Sequence, residues 1–425
     1  MGMTIAEKIL AHKANLPRVQ AGDFVNASID LIMFHESMFL TNHIFEEAGS
    51  KIGVPRVWNK DKVVIVLDHY APPMGKNAKA ANQHAKIRSI AKRLDLPHFI
   101  DVSTGICHQV LPESGLLSPG QLVVAPDSHT TLYGALNVAS TGIGETEAAL
   151  VLLTGELWFM VPPTIRIRVE GKLPPYLSGK DVFLEAARQF GPEVAQYKAI
   201  EWYGPAVESM SLDDKMCISN QSVELGAKFS FFLGDKKTEE FYKQHGVKEC
   251  NFVEPDTDAV YEQEYIINTE AIEPLVAVPH SFSEVRPAAE LTGVEIQQAV
   301  IGGCANGRLE DLAIASSILE GKRVASSVRL IVTPASHEVY LNALAKGYIE
   351  KLVKAGAIVT NSCCGPCIGN IGTLADGEVC LTSTSRNFKG RMGNPKGIIY
   401  LGSPATAAAS AVTGRITDPR GYCNA

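Results

Sequence analysis

Three cysteines in two segments have the residue type and spacing of ligands to one metal site. Cys304 lies in the run Gly-Gly-Cys-Ala-Asn-Gly-Arg, and Cys364 and Cys367 form a Cys-x-x-Cys pair. A Cys-x-x-Cys pair also occurs in redox and zinc proteins, so the pair alone does not identify the kind of site. The third cysteine favours an iron-sulfur site. Iron-sulfur clusters are held by thiolates, and a four-iron cluster held by only three of them keeps one iron open. The predicted chemistry is that of a Lewis acid.

The alternative for any one of these cysteines is a buried structural thiol, because free cysteine is among the most buried residue types. Cys363 adjoins the pair, but only Cys364 and Cys367 have the two-residue gap. We expect most of the six other cysteines to be inert: Cys107, Cys217, Cys250, Cys363, Cys380 and Cys423.

Histidines and aspartates cluster in the first third of the chain. Asp68 precedes His69, His108 follows a cysteine, and Asp127 and His129 flank a serine. A single histidine of this kind is usually structural. An aspartate beside a histidine, however, fixes the tautomer of the ring and raises its pKa, which makes the imidazolium a usable acid. Together with the cysteines, this pattern predicts that at least one of these histidines is catalytic.

Three further charged residues are candidates for the same site. Glu201 lies between bulky residues and is either an acidic group of the site or a turn residue before Gly204. Arg386 and Arg391 fit a bidentate clamp for a carboxylate, and the alternative for them is a basic surface loop.

Short runs of β-branched residues precede these polar groups, and helical patterns follow. One helix is expected to begin with Ser403 as its N-cap and Pro404 in its first turn. This alternation predicts an α/β fold, with three-layer α/β/α domains and largely parallel sheets. Ligands bind beyond the carboxyl ends of such strands, where the polar groups fall. The predicted strands are Val63–Leu67, Leu122–Ala125, Gln298–Ile301, Ile331–Thr333, Ala357–Thr360 and Gly397–Leu401.

The chain has 425 residues, which is long for one core. Pro162 and Pro163 precede an alternating segment, Thr164–Glu170, that is typical of an edge or one-sided strand. A second boundary is expected within the proline-punctuated stretch 274–287. We predict three α/β domains: 1–163 with the acid-base residues, 164–286, and 287–425 with the cysteine ligands.

Composition limits the possible partners and location. The formal charge of −7 gives no support for nucleic-acid binding, and no apolar run reaches the length of a membrane helix. Charges interrupt the apolar start of the chain, so we expect no secretory signal. With nine cysteines, an odd number, the expected compartment is a reducing cytoplasm. The turn Thr141–Gly144 lacks the third glycine of a dinucleotide-binding loop, so we do not expect a nucleotide site there.

These residues and motifs resemble the large subunits of the aconitase family, in particular those of the two-subunit 3-isopropylmalate dehydratases and homoaconitases. The resemblance extends over nearly the whole chain, from Thr4 to Pro419. It is carried by three segments besides the Cys-x-x-Cys pair: residues 302–308, Pro126–His129 with Thr141–Gly144, and Ser385–Arg391.

The resemblance implies a [4Fe-4S] cluster held by Cys304, Cys364 and Cys367. It also implies a role for each polar candidate around that cluster. By this resemblance, His69 with Asp68 is the acid at the departing hydroxyl, and His108 with Asp127 is the supporting pair. Ser128 and His129 line the site, and Glu201 holds the iron-bound water. Arg386 and Arg391 hold the carboxylates of the substrate.

The implied activity is that of a hydro-lyase that isomerises a substituted malate, with 3-isopropylmalate as the first choice of substrate. Another malate or tricarboxylate, as in homoaconitase, 2,3-dimethylmalate dehydratase or citraconate hydration, is the alternative, and a non-enzymatic iron-sulfur sensor or RNA-binding relative is a remote one. The family's catalytic base lies on a swivelling domain that is not found in this chain. The implied partner is therefore a small subunit that carries it.

Three departures from the family pattern concern the substrate. Near the expected substrate loop, His35-Glu-Ser-Met-Phe-Leu40 stands where the family has His-Asp-x-Thr-x-Pro, which puts bulky apolar residues at Met38–Leu40. In addition, Ala305 replaces a threonine, and Ser385 replaces an asparagine. The apolar segment could favour a substrate with a hydrocarbon substituent, or it could be a packing change outside the site.

Overall fold

Three larger β-sheets, built mainly from parallel strands, dominate the computed structural model, which describes residues 2–53, 56–72 and 77–422. Helices alternate with the strands along the chain. The α/β fold with largely parallel sheets that the sequence predicts is therefore confirmed. Cys423 lies outside the described residues. In the part of the chain that the structure describes, no helix has the length and apolar character needed to cross a bilayer.

The first sheet has five strands, and every neighbouring pair is parallel. Successive residues of one strand enter different cores: Val64 and Val66 join one, and Val63 and Ile65 join the other. The sheet is thus covered on both faces, as its unbroken apolar strands require. In spatial order its strands are β4 (His98–Ile100), β3 (Val63–Val66), β2 (Leu31–Phe34), β5 (Leu122–Ala125) and β6 (Ala139–Gly142).

Five helices and a small ribbon accompany the first sheet. The ribbon pairs β1 (Phe24–Ser28) with β7 (Glu156–Met160) in antiparallel register. The helices are α1 (Ile5–Lys13), α2 (Met38–Ile52), α3 (Ala78–Arg93), α4 (Cys107–Glu113) and α5 (Glu145–Thr154).

The second sheet contains four parallel strands, and the alternating segment Thr164–Glu170 forms one of its interior strands, β8. The edge alternative for this segment was wrong, whereas the one-sided alternative fits, because Ile165, Ile167 and Val169 are buried in the core. The other strands are β9 (Ala199–Tyr203), β10 (Phe229–Phe232) and β11 (Gln263–Asn268), and the helices are α6 (Gly179–Phe190), α7 (Pro205–Ser209), α8 (Leu212–Gln221) and α9 (Lys236–Gln244).

The third sheet has seven strands, of which five run parallel and two add at one edge in antiparallel pairs. In spatial order they are β13 (Val285–Pro287), β12 (Leu275–Ala277), β18 (Ile398–Gly402), β17 (Val379–Thr382), β14 (Gln298–Ile301), β15 (Arg329–Val332) and β16 (Ile358–Val359). Its helices are α10 (Leu309–Leu319), α11 (His337–Ala345), α12 (Tyr348–Ala355) and α13 (Pro404–Thr413). The domain boundaries at 163 and 286 stay predictions, and β12 and most of β13 precede the second one.

Helix α13 begins as its sequence predicts. The side chain of Ser403 accepts a hydrogen bond from the backbone N–H of Thr406, and Pro404 occupies the first turn. The missing N–H of a proline costs nothing there, because the first turn of a helix has no internal acceptor for it.

The carboxyl ends of the strands in the first and third sheets meet. The backbone N–H of Cys364, after β16, donates to the carbonyl of Asp68, after β3, at 3.0 Å. The N–H of Ile106 donates to the carbonyl of Ala335 at 2.9 Å. The polar groups that follow the strands of both sheets are therefore brought to one place.

Candidate active site

The three cysteines lie on two tight turns. Cys304 follows β14 through Gly302 and Gly303, and Gly303 has a φ of 81°, a conformation that a side chain rarely adopts. A Cβ atom on Gly302 would lie 2.8 Å from the carbonyl oxygen of Thr333. The turn can therefore hold the thiol close to the neighbouring strand only with glycine at these positions.

The other two thiols belong to a short 3₁₀ turn, Gly365–Ile368, that follows β16: Cys364 is its N-cap and Cys367 lies within it. A hydrogen bond from Cys364 lowers the pKa of Cys367 well below its ordinary value, and the guanidinium of Arg391, whose Nη2 lies 3.1 Å from that sulfur, adds to the effect. Burial raises the pKa of Cys304 to about 11, against the opposing hydrogen bond with Ser385, whose Oγ lies 3.3 Å from the sulfur. The site favours thiolate most strongly at Cys367.

The spread of the sulfur atoms distinguishes between kinds of metal site. Within the described residues, the only group of three potential ligands whose donor atoms all lie within 4.8 Å of one another is His35, Glu36 and His69. The three cysteine sulfurs do not all lie within that distance of one another, whereas a tetrahedral zinc with bonds of about 2.3 Å would draw all three closer. All three are buried, and Cys364 interacts with both Cys367 and Cys304. They fit a group larger than one ion, such as an iron-sulfur cluster.

His69 and Asp68 form an acid pair after β3. The Nδ1 atom of His69 lies 2.7 Å from Asp68 Oδ1, and the backbone N–H of Cys107 holds Asp68 Oδ2 at 2.8 Å. Burial lowers the pKa of His69, but the charge and hydrogen bond of Asp68 outweigh it, with help from Glu36 and Asp127, and raise the pKa to about 10. His69 is therefore an imidazolium at neutral pH.

His108 and Asp127 form a second pair. The Nε2 atom of His108 lies 2.8 Å from Asp127 Oδ1, and its Nδ1 atom lies 3.0 Å from the hydroxyl of Tyr133. Burial alone would raise the pKa of Asp127, but the charge of His108 and its hydrogen bond hold that pKa well below the ordinary value. Asp127 Oδ2 lies 3.9 Å from His69 Nε2, so the two pairs are neighbours.

Arg386 and Ser128 meet across the site, with Glu224 between Arg386 and His129. Arg386 donates to Ser128 Oγ at 3.0 Å and to Glu224 Oε1 at 2.5 Å. His129 Nε2 lies 3.5 Å from the same carboxylate oxygen. The structure thus brings together eleven of the twelve residues predicted for the site.

Glu201 is the twelfth, and the structure does not bring it to the others. Its Oε1 accepts from the backbone N–H of Ile5 at 2.9 Å, and its Oε2 accepts from the hydroxyl of Tyr261 at 2.7 Å. Both oxygens are used to tie α1 and the segment before β11 to β9. Among the described residues, Glu224 is the acidic side chain that contacts both His129 and Arg386.

Sequence reasoning missed Glu224 because nothing in its surroundings indicates a site. It lies on a 3₁₀ turn, Ser222–Leu225, that continues α8 and carries no polar motif. Burial raises its pKa, but the hydrogen bond with His129 and the charge of Arg386 reverse this and lower it. Its role becomes visible only when β5 and the third sheet are placed beside it.

His35 and Glu36 were also missed as members of the site, although their position gives a signal. They follow β2 as Asp68 and His69 follow β3. The ring of His35 stacks on that of His69, with centroids 4.1 Å apart. Glu36 accepts from the backbone N–H of His69 at 3.2 Å and contacts His84 Nε2 at 2.9 Å. His35 therefore packs on the ring of His69, and Glu36 holds its backbone N–H and lies 3.8 Å from the Nδ1 atom that also contacts Asp68.

The apolar segment Met38–Leu40 faces away from these groups. Met38 is fully buried in the core, while Phe39 and Leu40 line a surface groove between α2 and α3. The Nζ atom of Lys86 lies 5.2 Å from the ring centroid of Phe39. The second interpretation of this departure, a packing change outside the site, is therefore the one that the geometry favours.

Comparison with known proteins gives a consistent result. The model of the Aconitase family (aconitate hydratase) matches residues 58–291 and 280–414. The chain is 46% identical over 423 residues to 3-isopropylmalate dehydratase large subunit 1 of Methanopyrus kandleri, covering 99% of this chain and 100% of that one. It is 43% identical over 421 residues to the 3-isopropylmalate dehydratase large subunit of Moorella thermoacetica, covering 99% of each.

Among solved structures, the holo-form of aconitase X from Thermococcus kodakaraensis matches with a TM-score of 0.49 and 13% sequence identity, over 89% of this chain and 88% of that one. This similarity is too low to decide anything about the site.

Proposed function

The chain belongs to the aconitase family, and from this premise we propose that it is the large subunit of a dehydratase that interconverts 3-isopropylmalate and 2-isopropylmalate. The proposal is supported by the site and by the names of relatives that match over nearly the whole chain. The observation that carries it is the 3.0 Å hydrogen bond between the backbones of Cys364 and Asp68, which fixes the acid pair against the thiol turn.

The reaction has two chemically difficult steps. A weakly acidic proton beside a carboxylate must be removed, and hydroxide, a poor leaving group, must depart. A [4Fe-4S] cluster held by Cys304, Cys364 and Cys367 would supply a Lewis acid for the hydroxyl and a carboxylate of the substrate. The remaining tasks fall to side chains of this protein and of its partner.

Proton delivery to the departing hydroxyl is assigned to His69. Its Nδ1–H is held by Asp68, which leaves its Nε2–H to face the substrate. His108 and Asp127 hold the other side of this region and keep a carboxylate charge near the imidazolium. That charge would keep His69 protonated between turnovers.

Recognition of the substrate's carboxylates is assigned to Arg386 and Arg391. Within the described residues, the buried Nε atom of Arg391 has no hydrogen-bond partner, so it is available to an anionic ligand. Arg386 is already held by Ser128 and Glu224, which fix its guanidinium plane for a bidentate contact.

The base that removes the α-proton is expected on the small subunit. None of the side chains assigned above is free for this task, and the names of the relatives, as large subunits, are consistent with a divided site. We propose that the partner closes over the open side of the thiols and arginines and completes the site.

The test is reconstitution. The protein is loaded with iron and sulfide without oxygen and titrated with a small subunit that carries the swivelling domain, with 3-isopropylmalate, 2,3-dimethylmalate and homocitrate as substrates. Activity should saturate at one small subunit per chain and be highest, as kcat/KM, with 3-isopropylmalate. Full activity without the small subunit would overturn the divided site, and preference for another substrate would overturn the substrate assignment.

A further inference from the structure

Lys180 is a buried cation without an acidic partner. It lies in the first turn of α6 with none of its surface exposed. Its Nζ atom donates to Gln221 Oε1 at 2.8 Å and to the carbonyl oxygen of Thr384 at 2.9 Å. In the described ranges, no Asp or Glu oxygen lies within 4.0 Å of this ammonium group. Burying a charge among neutral acceptors is costly, so such a residue calls for an anion nearby.

Both acceptors of Lys180 lead to the cysteines. On one side, Gln221 Nε2 donates to Asn220 Oδ1 at 3.2 Å. The buried Nδ2 atom of Asn220 has no hydrogen-bond partner among the described residues, so it is free to donate to a group bound in the site. The amide also lowers the pKa of the nearby Cys304 thiol, against the larger effect of burial.

On the other side, the connection runs through one peptide group. The carbonyl of Thr384, which accepts from Lys180, belongs to the same peptide unit as the N–H of Ser385. The hydroxyl of the same Ser385 lies 3.3 Å from the sulfur of Cys304. A cation on the carbonyl of Thr384 holds this segment of backbone and polarises its peptide group. The ammonium group is therefore connected to Cys304 through the Thr384–Ser385 segment.

We propose that Lys180 is the counter-charge of the iron-sulfur site, a positioning residue that stabilises the thiolates and raises the reduction potential of the cluster they hold. The proposal rests on the proposed function, because it requires the cluster. Net charge and hydrogen bonds to the sulfurs are among the factors that set the potential of such clusters. A fixed positive charge favours the reduced state, which carries one more electron.

The experiment compares Lys180→Met with the unaltered protein after anaerobic loading. Potential is measured by redox titration followed by electron paramagnetic resonance, with iron content and urea unfolding measured on the same samples. The variant should load iron but shift the potential downward, so that the ratio of reduced to oxidised cluster at a fixed potential falls at least tenfold, or about 59 mV for one electron. It should also release iron faster to a chelator.

Lys215→Met is the matched control. Lys215 is as deeply buried as Lys180, but its ammonium is neutralised by Asp235 Oδ2 at 2.6 Å. Its loss should lower stability and leave the potential unchanged. An equal shift in both variants would overturn the proposal, since it would mean that any buried lysine has the effect.

Two further outcomes are decisive. An unchanged potential in loaded Lys180→Met would overturn the role of Lys180 while leaving the cluster assignment intact. If that variant does not fold, Gln221→Met, which keeps the charge but breaks the connection to Asn220, decides the matter: a smaller downward shift supports the proposal, and no shift overturns it. Failure of the unaltered protein to bind iron would instead overturn the proposed function, and this proposal with it.

Discussion

Asp68 and His69 illustrate how two adjacent residues keep an imidazole protonated in a buried place. Burial works against the imidazolium, yet the carboxylate at 2.7 Å more than compensates. Asp68 itself is held by the N–H of Cys107. The pair therefore depends on α4 as well as on the strand from which it emerges.

Replacing Asp68 by Asn should move the basic limb of the pH–activity profile. The unaltered protein keeps His69 protonated up to a pKa of about 10, so activity falls only as pH rises toward that value. Without the carboxylate charge, burial would dominate and lower the pKa of His69, and the basic limb should move down by more than two pH units. The measurement is kcat against pH in the assembled enzyme, with iron content as the control. A profile that does not move would remove His69 from the role of acid.

The same pair contributes to stability with a definite sign. The folded-state pKa of His69 lies above its ordinary value, so its contribution is complete below about pH 6.5 and disappears as pH rises to about 10. Asp68→Asn should therefore flatten the fall in stability over this window in the protein without its partner.

Serine substitutions should distinguish the cysteines that bind iron from those that do not. Replacing Cys304, Cys364 or Cys367 by Ser should abolish the broad visible absorption and the binding of about four irons per chain. Cys363→Ser is the matched control, because Cys363 adjoins the pair and is equally buried. A full cluster in Cys304→Ser would contradict the ligand assignment, and tight binding of a single zinc by the unaltered protein would point to a structural site.

The structure brings together eleven of the twelve residues nominated from sequence, and most of them belong to motifs, that is, to polar groups at fixed spacing after an apolar strand. Glu201 shows where this reasoning fails. A glutamate between bulky residues has the same local pattern whether its carboxylate faces a substrate or a neighbouring helix. Only the contacts with Ile5 and Tyr261 decide between them, and these come from residues far away in the chain.

At the scale of elements, the strands were easier to predict than the turns between them. The runs at β5, β8 and β14 have the bounds that their sequences indicate. A buried strand needs a continuous apolar run, which is visible locally. The 3₁₀ turns that carry Glu224 and Cys367 have no such pattern, because their shape is fixed by packing against other segments.

Gly369 is a sensitive position in one of these turns. It ends the turn of the Cys-x-x-Cys pair with a φ of 76°, and a Cβ atom there would lie 2.3 Å from the carbonyl carbon of Met392. Gly369→Ala should lower the free energy of unfolding by more than about 1 kcal/mol and reduce iron retention, because backbone strain adds to the steric clash.

Gly191→Ala is the control for that prediction. Gly191 also has a positive φ, 83°, but open space surrounds the position where its Cβ would be. It should lower the unfolding free energy by about 1 kcal/mol only and leave iron binding intact. Urea unfolding and iron analysis of both variants check the expectation, and equal iron retention in the two would contradict it.

At the scale of the whole molecule, the site lies where three sheets meet. The first supplies the acid pairs, the third supplies the thiols and arginines, and the helices of the second supply Lys180 and Glu224. Sequence could indicate the acid pairs, the thiols and the arginines, but neither Lys180 and Glu224 nor the way in which the sheets dock, because docking depends on buried contacts between residues hundreds of positions apart.

Arg308 is one of these contacts. Its buried guanidinium donates to Gln109 Oε1 at 2.9 Å and to the carbonyls of Ala305 and Cys304 at 2.9 and 2.8 Å. Arg308→Met would leave these acceptors unpaired and should lower the unfolding free energy by at least about 2 kcal/mol.

Arg329→Met is the comparison. Arg329 is half-exposed and pairs with Glu378 at the surface, so its loss should cost about 0–1 kcal/mol. Urea unfolding of the two variants checks the difference, and similar losses would show that Arg308 does not join the first and third domains.

The hydrogen bond between Cys364 and Asp68 also has a consequence for how the protein is made. The ribosome delivers the acid residues first, and nearly three hundred positions of chain follow before the last thiol emerges. A nascent or prematurely released polypeptide would therefore hold its histidines but lack the thiols that we propose as ligands of the cluster. Under this proposal, cluster insertion comes at the end of biosynthesis, where it can distinguish finished polypeptides from incomplete ones.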